Sequence, residues 1–195
     1  MNEALAKVYL VRHGQTAWTI SGQHTGHTDI PLTEQGEQEA RRLQGLLKDS
    51  YFAHVFTSPL QRARRTGELA GFGAIEQADP DLMEWDYGDY EGRRTADIRA
   101  ERPDWRLFQD GCPGGETLAQ ISLRADRVIG RVLALENNVL IFAHSDILRV
   151  IIARWLNLPA GEARHFYLTT AALSILGYDH GLDEPVIRLL NGAQY

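Results

Sequence analysis

The run Val139-Leu140-Ile141-Phe142-Ala143 carries no polar side chain. A strand that is apolar at every position has to be covered on both faces, which points to a helix-covered sheet. The run stops abruptly at His144-Ser145-Asp146. Val8-Tyr9-Leu10-Val11 has the same form and stops at Arg12-His13-Gly14, and His54-Val55-Phe56-Thr57 stops at Ser58-Pro59. Helical segments separate these runs. Thr33 is a good N-cap for a helix reaching Lys48, with Leu43, Leu46 and Leu47 on its apolar face. Arg62–Leu69 and Ile147–Leu156 read as helices, as does Arg93–Arg102, which Pro103 closes. The breaker cluster Gly111-Cys112-Pro113-Gly114-Gly115 precedes a long amphipathic helix from Glu116 to Leu135. The stretch after Gly14 reads as a polar loop, Asp79–Gly92 as an ordered one. Ala171–Gly177 and Val186–Leu190 supply the last strands. This alternation describes an α/β sandwich, expected to be a single domain over 1–195.

Composition narrows the partners. Charged residues make up 24% and the net charge is −6, so no broad basic footprint for nucleic acid exists. No apolar stretch is long enough to span a membrane. A single cysteine, Cys112, excludes an intrachain disulfide and a cysteine-rich zinc site. Met1–Lys7 lacks the pattern of a signal peptide, and a reducing cytoplasm is the expected compartment. A homodimer is compatible with the sequence, which does not set the oligomeric state.

Ligands of open α/β sheets gather at the carboxyl ends of strands. Here those ends carry Arg12-His13, Thr57-Ser58 leading to Arg62, and His144. Neither arginine has an obvious carboxylate beside it in sequence, so an anion would satisfy both. A neutral imidazole is a competent nucleophile near neutral pH. Planar guanidinium groups match the oxygens of a transferring phosphoryl group. The leaving alcohol needs a proton, and Glu84, within Met83-Glu84-Trp85-Asp86-Tyr87, sits where burial would raise its pKa. Asp146 is the rival donor; an N-cap of the following helix is the preferred reading for it. His24 and His27 lie near the entrance, without a carboxylate at metal-ligand spacing.

These residues resemble the histidine phosphatase superfamily in its phosphoglycerate-mutase-like branch. Arg12-His13-Gly14 resembles its signature, and Asp29-Ile30-Pro31-Leu32-Thr33-Glu34-Gln35-Gly36 resembles a second motif. Ser58 through Thr66, Leu82 through Gly92, and Phe142-Ala143-His144 follow in the family's order. The resemblance implies a three-layer α/β/α sandwich with a mostly parallel central sheet. It implies that His13 becomes phosphohistidine and that Arg12 and Arg62 hold the phosphoryl oxygens. His144 would donate a further hydrogen bond, and Glu84 would be acid and then base. Thr25, Gly26, Tyr87 and Ser145 would contact the substrate. No metal and no cofactor is implied; the partner is a small phosphorylated metabolite.

Mutases of the family carry asparagine where Thr19 stands, lysine where Thr95 stands and glycine where Ser145 stands, together with an inserted paired-arginine segment. No such segment lies between Pro103 and Gly114. Hydrolysis is therefore favoured over a phosphoglycerate mutase-type transfer, and over a non-catalytic phosphate-binding domain of the same fold. Ser21 through Gly26, Glu84 through Gly92, Asp110 through Thr117 and Asp183-Glu184-Pro185 are similar to sedoheptulose-1,7-bisphosphatase-type members, which implies a sugar phosphate or bisphosphate. His24 stands where those members have tyrosine.

Overall fold

The computed structural model describes residues 6–192, so the reading of Met1–Lys7 as lacking a leader lies largely outside it. Six strands form one sheet: β1 (Val8–Arg12), β2 (His54–Thr57), β3 (Glu76–Ala78), β4 (Val139–Ala143), β5 (Leu173–Tyr178) and β6 (Pro185–Gly192). Their spatial order is β3-β2-β4-β1-β5-β6. The pairs β2/β3, β2/β4 and β1/β4 are parallel, and β1/β5 and β5/β6 are antiparallel. The mostly parallel sheet is therefore realised with an antiparallel margin.

The apolar strands are apolar throughout because each faces two cores. Along β4, Val139, Ile141 and Ala143 join one cluster, while Leu140 and Phe142 join the other. Along β1, Val8 and Leu10 face the first and Tyr9 and Val11 the second. The first core is closed by α6 (Leu118–Leu133) and α7 (Ser145–Trp155), through Ile121, Ala125, Val128, Ile147 and Ile151. The second is closed by α2 (Glu34–Leu47), through Leu43 and Leu47, with α3 (Gln61–Leu69) packed against α2. Truncating a fully buried residue such as Leu10 or Ile141 to alanine costs about 2–5 kcal/mol.

The Thr33 cap is present, its hydroxyl accepting from the Gly36 N–H at 3.0 Å. Three expectations need correction. The stretch after Gly14 is not all loop: Ala17–Ser21 is a short helix, α1, closed by a capping box between Thr16 and Thr19. These threonines hydrogen-bond reciprocally, a signal a reading for polarity overlooks. β3 was absent from the sequence reading because Glu76-Gln77-Ala78 has no apolar pattern; it is an edge strand paired only through Val55–Thr57. Asp146 is not an N-cap. That position is held by His144, whose side chain makes no cap bond, and Glu84 supplies the cap instead. Two short helices flank the site, α4 (Thr95–Glu101) and α5 (Leu107–Asp110), the second also unforeseen.

Candidate active site

Register carries the first constraint. Arg12, the last residue of β1, pairs with Ala143, the last of β4, so His13 and His144 leave adjacent parallel strands side by side. Their rings lie 5.1 Å apart between centroids. The turn after β1 can run so close to α2 because residue 14 is glycine: a Cβ there would collide with the Gly36 carbonyl. The Gly14 N–H is in turn held by Thr66 Oγ1 at 3.1 Å.

His13 is buried, and its Nδ1 lies 2.7 Å from the Gly14 carbonyl. A carbonyl only accepts, so Nδ1 carries the proton and Nε2 keeps its lone pair. Burial, reinforced by Arg62 and Arg12, holds the imidazole well below its ordinary pKa, so it is neutral at neutral pH. His144 is fully buried and shifted the same way, by burial and then by Arg62. Arg62 Nε donates to its Nδ1 at 3.1 Å, which leaves the proton on Nε2, facing Ser58 Oγ at 2.7 Å. Ser58, the buried residue after β2, is among the strand-end residues the sequence points to, but nothing in the sequence assigns it a role of its own.

The two arginines are held differently. Arg62, on the first turn of α3, gives Nη2 to the carbonyls of Thr25 and Gly26 and Nη1 to that of Thr28. Arg12 gives Nη1 to the Leu168 carbonyl at 2.6 Å, while its buried Nε has no partner among the described residues. An unpartnered buried N–H on a cation is an anion-binding feature, since an oxygen there would recover the lost hydration.

Glu84 lies beyond the 3₁₀ turn Pro80–Leu82 and is buried. Its carboxylate accepts from the N–H groups of Trp85, Asp146 and Ile147 at 2.9–3.1 Å, the last two at the start of α7. Burial and the nearby Asp146 charge outweigh those bonds and push its pKa up to about 7. Asp146 sits between Tyr87 Oη, which donates at 2.6 Å, and Arg149, paired at 2.8 Å. Both Asp146 oxygens are thus engaged, whereas the Glu84 carboxyl, with its raised pKa, has the protonation range that an acid and then a base would need.

A cavity of about 340 Å³ opens onto this group. Arg12, His13, Glu84, Thr25, Tyr87, Ser145 and Asp146 all line it. Gly26 does not: it is buried behind the wall, where its carbonyl serves Arg62. Arg62 and His144 likewise lie beneath, against His13. The wall includes residues the sequence reading missed: Trp18, Trp105, Phe108, Arg99 and Arg149. All but Arg149, which lies on α7, come from short segments with no strong pattern. His24 also lines it, its ring tilted against Tyr87 with centroids 4.7 Å apart and bonded through Nε2 to Thr95 Oγ1 at 3.2 Å. His27 is exposed. Among the described residues, one group of metal-ligand type, Asp179, His180 and Glu184, lies in the exposed β5–β6 hairpin, at the opposite end of the sheet.

Residues 8–191 match the histidine phosphatase superfamily, branch 1. An acid phosphatase of Mycobacterium tuberculosis is 38% identical over 192 residues, covering 95% of this chain and 93% of that one. Sedoheptulose 1,7-bisphosphatase of Saccharomyces cerevisiae is 38% identical over 246 residues, covering 92% and 90%. A solved structure of a Mycobacterium tuberculosis open reading frame superposes with a TM-score of 0.92 at 37% identity, covering 96% of this chain and 98% of that one. Sequence, fold and the order of the site residues agree, and the chain belongs to branch 1 of the histidine phosphatase superfamily.

Proposed function

We propose that the protein is a metal-independent phosphatase that hydrolyses phosphate monoesters through a phosphohistidine on His13. The observation that carries this reading is the neutral, oriented His13, with Nδ1 bonded and Nε2 free, beside the unpartnered Nε of Arg12. Nε2 attacks phosphorus and the ester P–O bond breaks. The departing oxygen takes the proton of the Glu84 carboxyl. Glu84, now a carboxylate, takes a proton from water as that water attacks the phosphohistidine. The P–N bond breaks, inorganic phosphate leaves, and both side chains return to their starting states. Arg12 and Arg62 oppose the charge on the equatorial oxygens. His144 carries its donor on Nε2; to reach the phosphoryl group it would exchange Ser58 for a phosphoryl oxygen.

Hydrolysis is supported over transfer by two residues of the cavity wall, Thr19 and Thr95, which stand where the mutase pattern has asparagine and lysine. Sugar phosphates, and bisphosphates among them, are the proposed substrates. The wall offers aromatic faces for sugar C–H groups in Trp18 and Trp105. It also offers Arg99, whose Nε serves the Trp105 carbonyl and which has no ion-pair partner among the described residues. The resemblance to the yeast sedoheptulose bisphosphatase points the same way.

Turnover of 4-nitrophenyl phosphate should persist in excess chelator and vanish in His13→Ala. Retained activity in that variant would sink the covalent mechanism, and loss on chelation would sink metal independence. In a panel of sugar mono- and bisphosphates, phosphoglycerates and nucleotides, sugar bisphosphates should give the highest kcat/KM.

A further inference from the structure

The acid loop carries a second glutamate that the reaction as written does not use. Glu91 accepts from the Gly26 N–H at 2.9 and 3.0 Å, one distance to each carboxylate oxygen, and from the Thr28 N–H at 3.1 Å. The carbonyls of the same segment point the other way, onto Arg62: Thr25 at 3.2 Å, Gly26 at 2.8 Å and Thr28 at 3.0 Å. The peptide group joining Thr25 to Gly26 therefore lies head to tail between an anion and a cation, its N–H on Glu91 and its C=O on Arg62. Ion–dipole contacts of this kind, partly shielded from water, reinforce one another. The approach is close enough to require glycine: a Cβ on Gly26 would lie 2.5 Å from the Trp85 carbonyl and 2.6 Å from Glu91 Oε2.

Arg62 has little freedom left. Four of its five N–H groups go to His144, Thr25, Gly26 and Thr28, and the direction of the remaining Nη1 N–H is set by those four. Whatever fixes the 25–28 segment fixes that donor.

We propose that Glu91 is a positioning residue for phosphoryl transfer: through the 25–28 segment it orients the Arg62 guanidinium. One loop would then set both ends of the reaction, since Glu84 and Glu91 sit on it together. This rests on the reading of Arg62 as a phosphoryl ligand. A loop carboxylate that only aided folding would not depend on Arg62 for its effect, and that dependence can be measured.

Orthovanadate inhibition and 4-nitrophenyl phosphate turnover are compared in wild type, Glu91→Gln, Arg62→Lys and the double variant. Glutamine keeps the shape but turns an NH2 group toward one of the two backbone N–H groups. Vanadate affinity and kcat/KM should each fall about 10-fold in Glu91→Gln, as expected for loss of one charged hydrogen bond. The double variant should be no worse than Arg62→Lys alone, because the two act through one guanidinium. Amide exchange at Gly26 and Thr28 should be about 10-fold faster in Glu91→Gln for the same reason. Multiplicative losses in the double variant, unchanged vanadate affinity in Glu91→Gln, or unchanged exchange at the two amides would each overturn the role of Glu91. Wild-type protein that neither binds vanadate nor turns over the ester would sink the phosphatase reading itself. Active wild type with an indifferent Glu91→Gln would sink only this inference.

Discussion

The floor of the site and its wall solve opposite electrostatic problems. The floor, made where β1, β2 and β4 end, gathers Arg12, Arg62, His13 and His144, and neither arginine forms an ion pair with a carboxylate among the described residues. Its cations lean on carbonyls and on a histidine nitrogen, and the histidines are kept neutral by burial, with the arginines beside them reinforcing it. The 79–92 segment and the start of α7 gather Glu84 and Asp146 in the wall and Glu91 behind it, and the two glutamates lean on backbone N–H groups. A floor without counter-ions suits an incoming dianion. A wall holding a carboxyl near neutrality suits proton transfer. On the proposed mechanism this is a division of labour between strand ends that manage charge and a loop that manages protons.

The sharpest way to break the comparison is within the floor. Arg12 and Arg62 should be alike for chemistry and unlike for folding. Arg12→Ala and Arg62→Ala should each lower kcat/KM by about 10²–10³, the range for losing one donor to developing charge. Arg12→Ala removes one buried donor that lacks a partner and strands one carbonyl, that of Leu168, so it should cost only about 1 kcal/mol. Arg62→Ala strands three carbonyls and His144, and should cost about 3 kcal/mol or more. Equal stability losses in the two variants, by denaturant titration, would show the distinction to be false.

The next effect falls on the wall. Glu84→Gln should slow alkyl phosphates about 10²–10⁴-fold and 4-nitrophenyl phosphate much less, because a good leaving group needs no proton. In wild type, hydrolysis of the alkyl esters should fall as pH rises through about 7, where Glu84 loses its proton. The acid side should stay flat well below the ordinary histidine pKa, because His13 is held neutral there. Asp146→Asn removes the second cause of the raised Glu84 pKa, so the alkaline fall should move to lower pH with turnover retained. If Asp146→Asn instead gives the leaving-group pattern, Asp146 is the proton donor.

Legibility in the sequence follows the same division. Strands apolar at every position announce two-sided burial, and a polar residue just past such a strand is at the ligand end by topology. His13, His144 and the path to Arg62 were therefore readable in position, and the motifs supplied their roles. The wall has no periodicity to read. Trp18, Arg99, Trp105 and Phe108 lie on short helices and turns, and their meeting around one cavity depends on tertiary packing. The cap of α7 was misplaced for the same reason: local reading gives it to Asp146, whereas the long-range Glu84 takes it. Long-range side chain to backbone bonds leave no local signature.

The smallest effect tests whether backbone N–H groups matter to a buried carboxyl. Glu76 on β3 has its pKa pushed up to about 7, as Glu84 does, chiefly by burial. It lacks Glu84's surroundings: Oε2 is buried without a partner, and Arg64 approaches only to 3.6 Å. Its folded pKa lies above the unfolded value, so the folded state binds more protons between about pH 4.5 and 7. The stability this contributes is complete below the unfolded pKa and is lost as pH rises through about 7. Glu76→Gln removes the charge, so at pH 8 it should be more stable than wild type by about 1 kcal/mol, or about 2–4 °C in Tm. At pH 4 the two proteins should melt together, and catalytic constants should be unchanged at both ends of the range. A Glu76→Gln protein that melts below wild type at pH 8 would mean that the Arg64 pair outweighs the burial of the carboxylate. The contrast with Glu84 would then rest on chemistry alone.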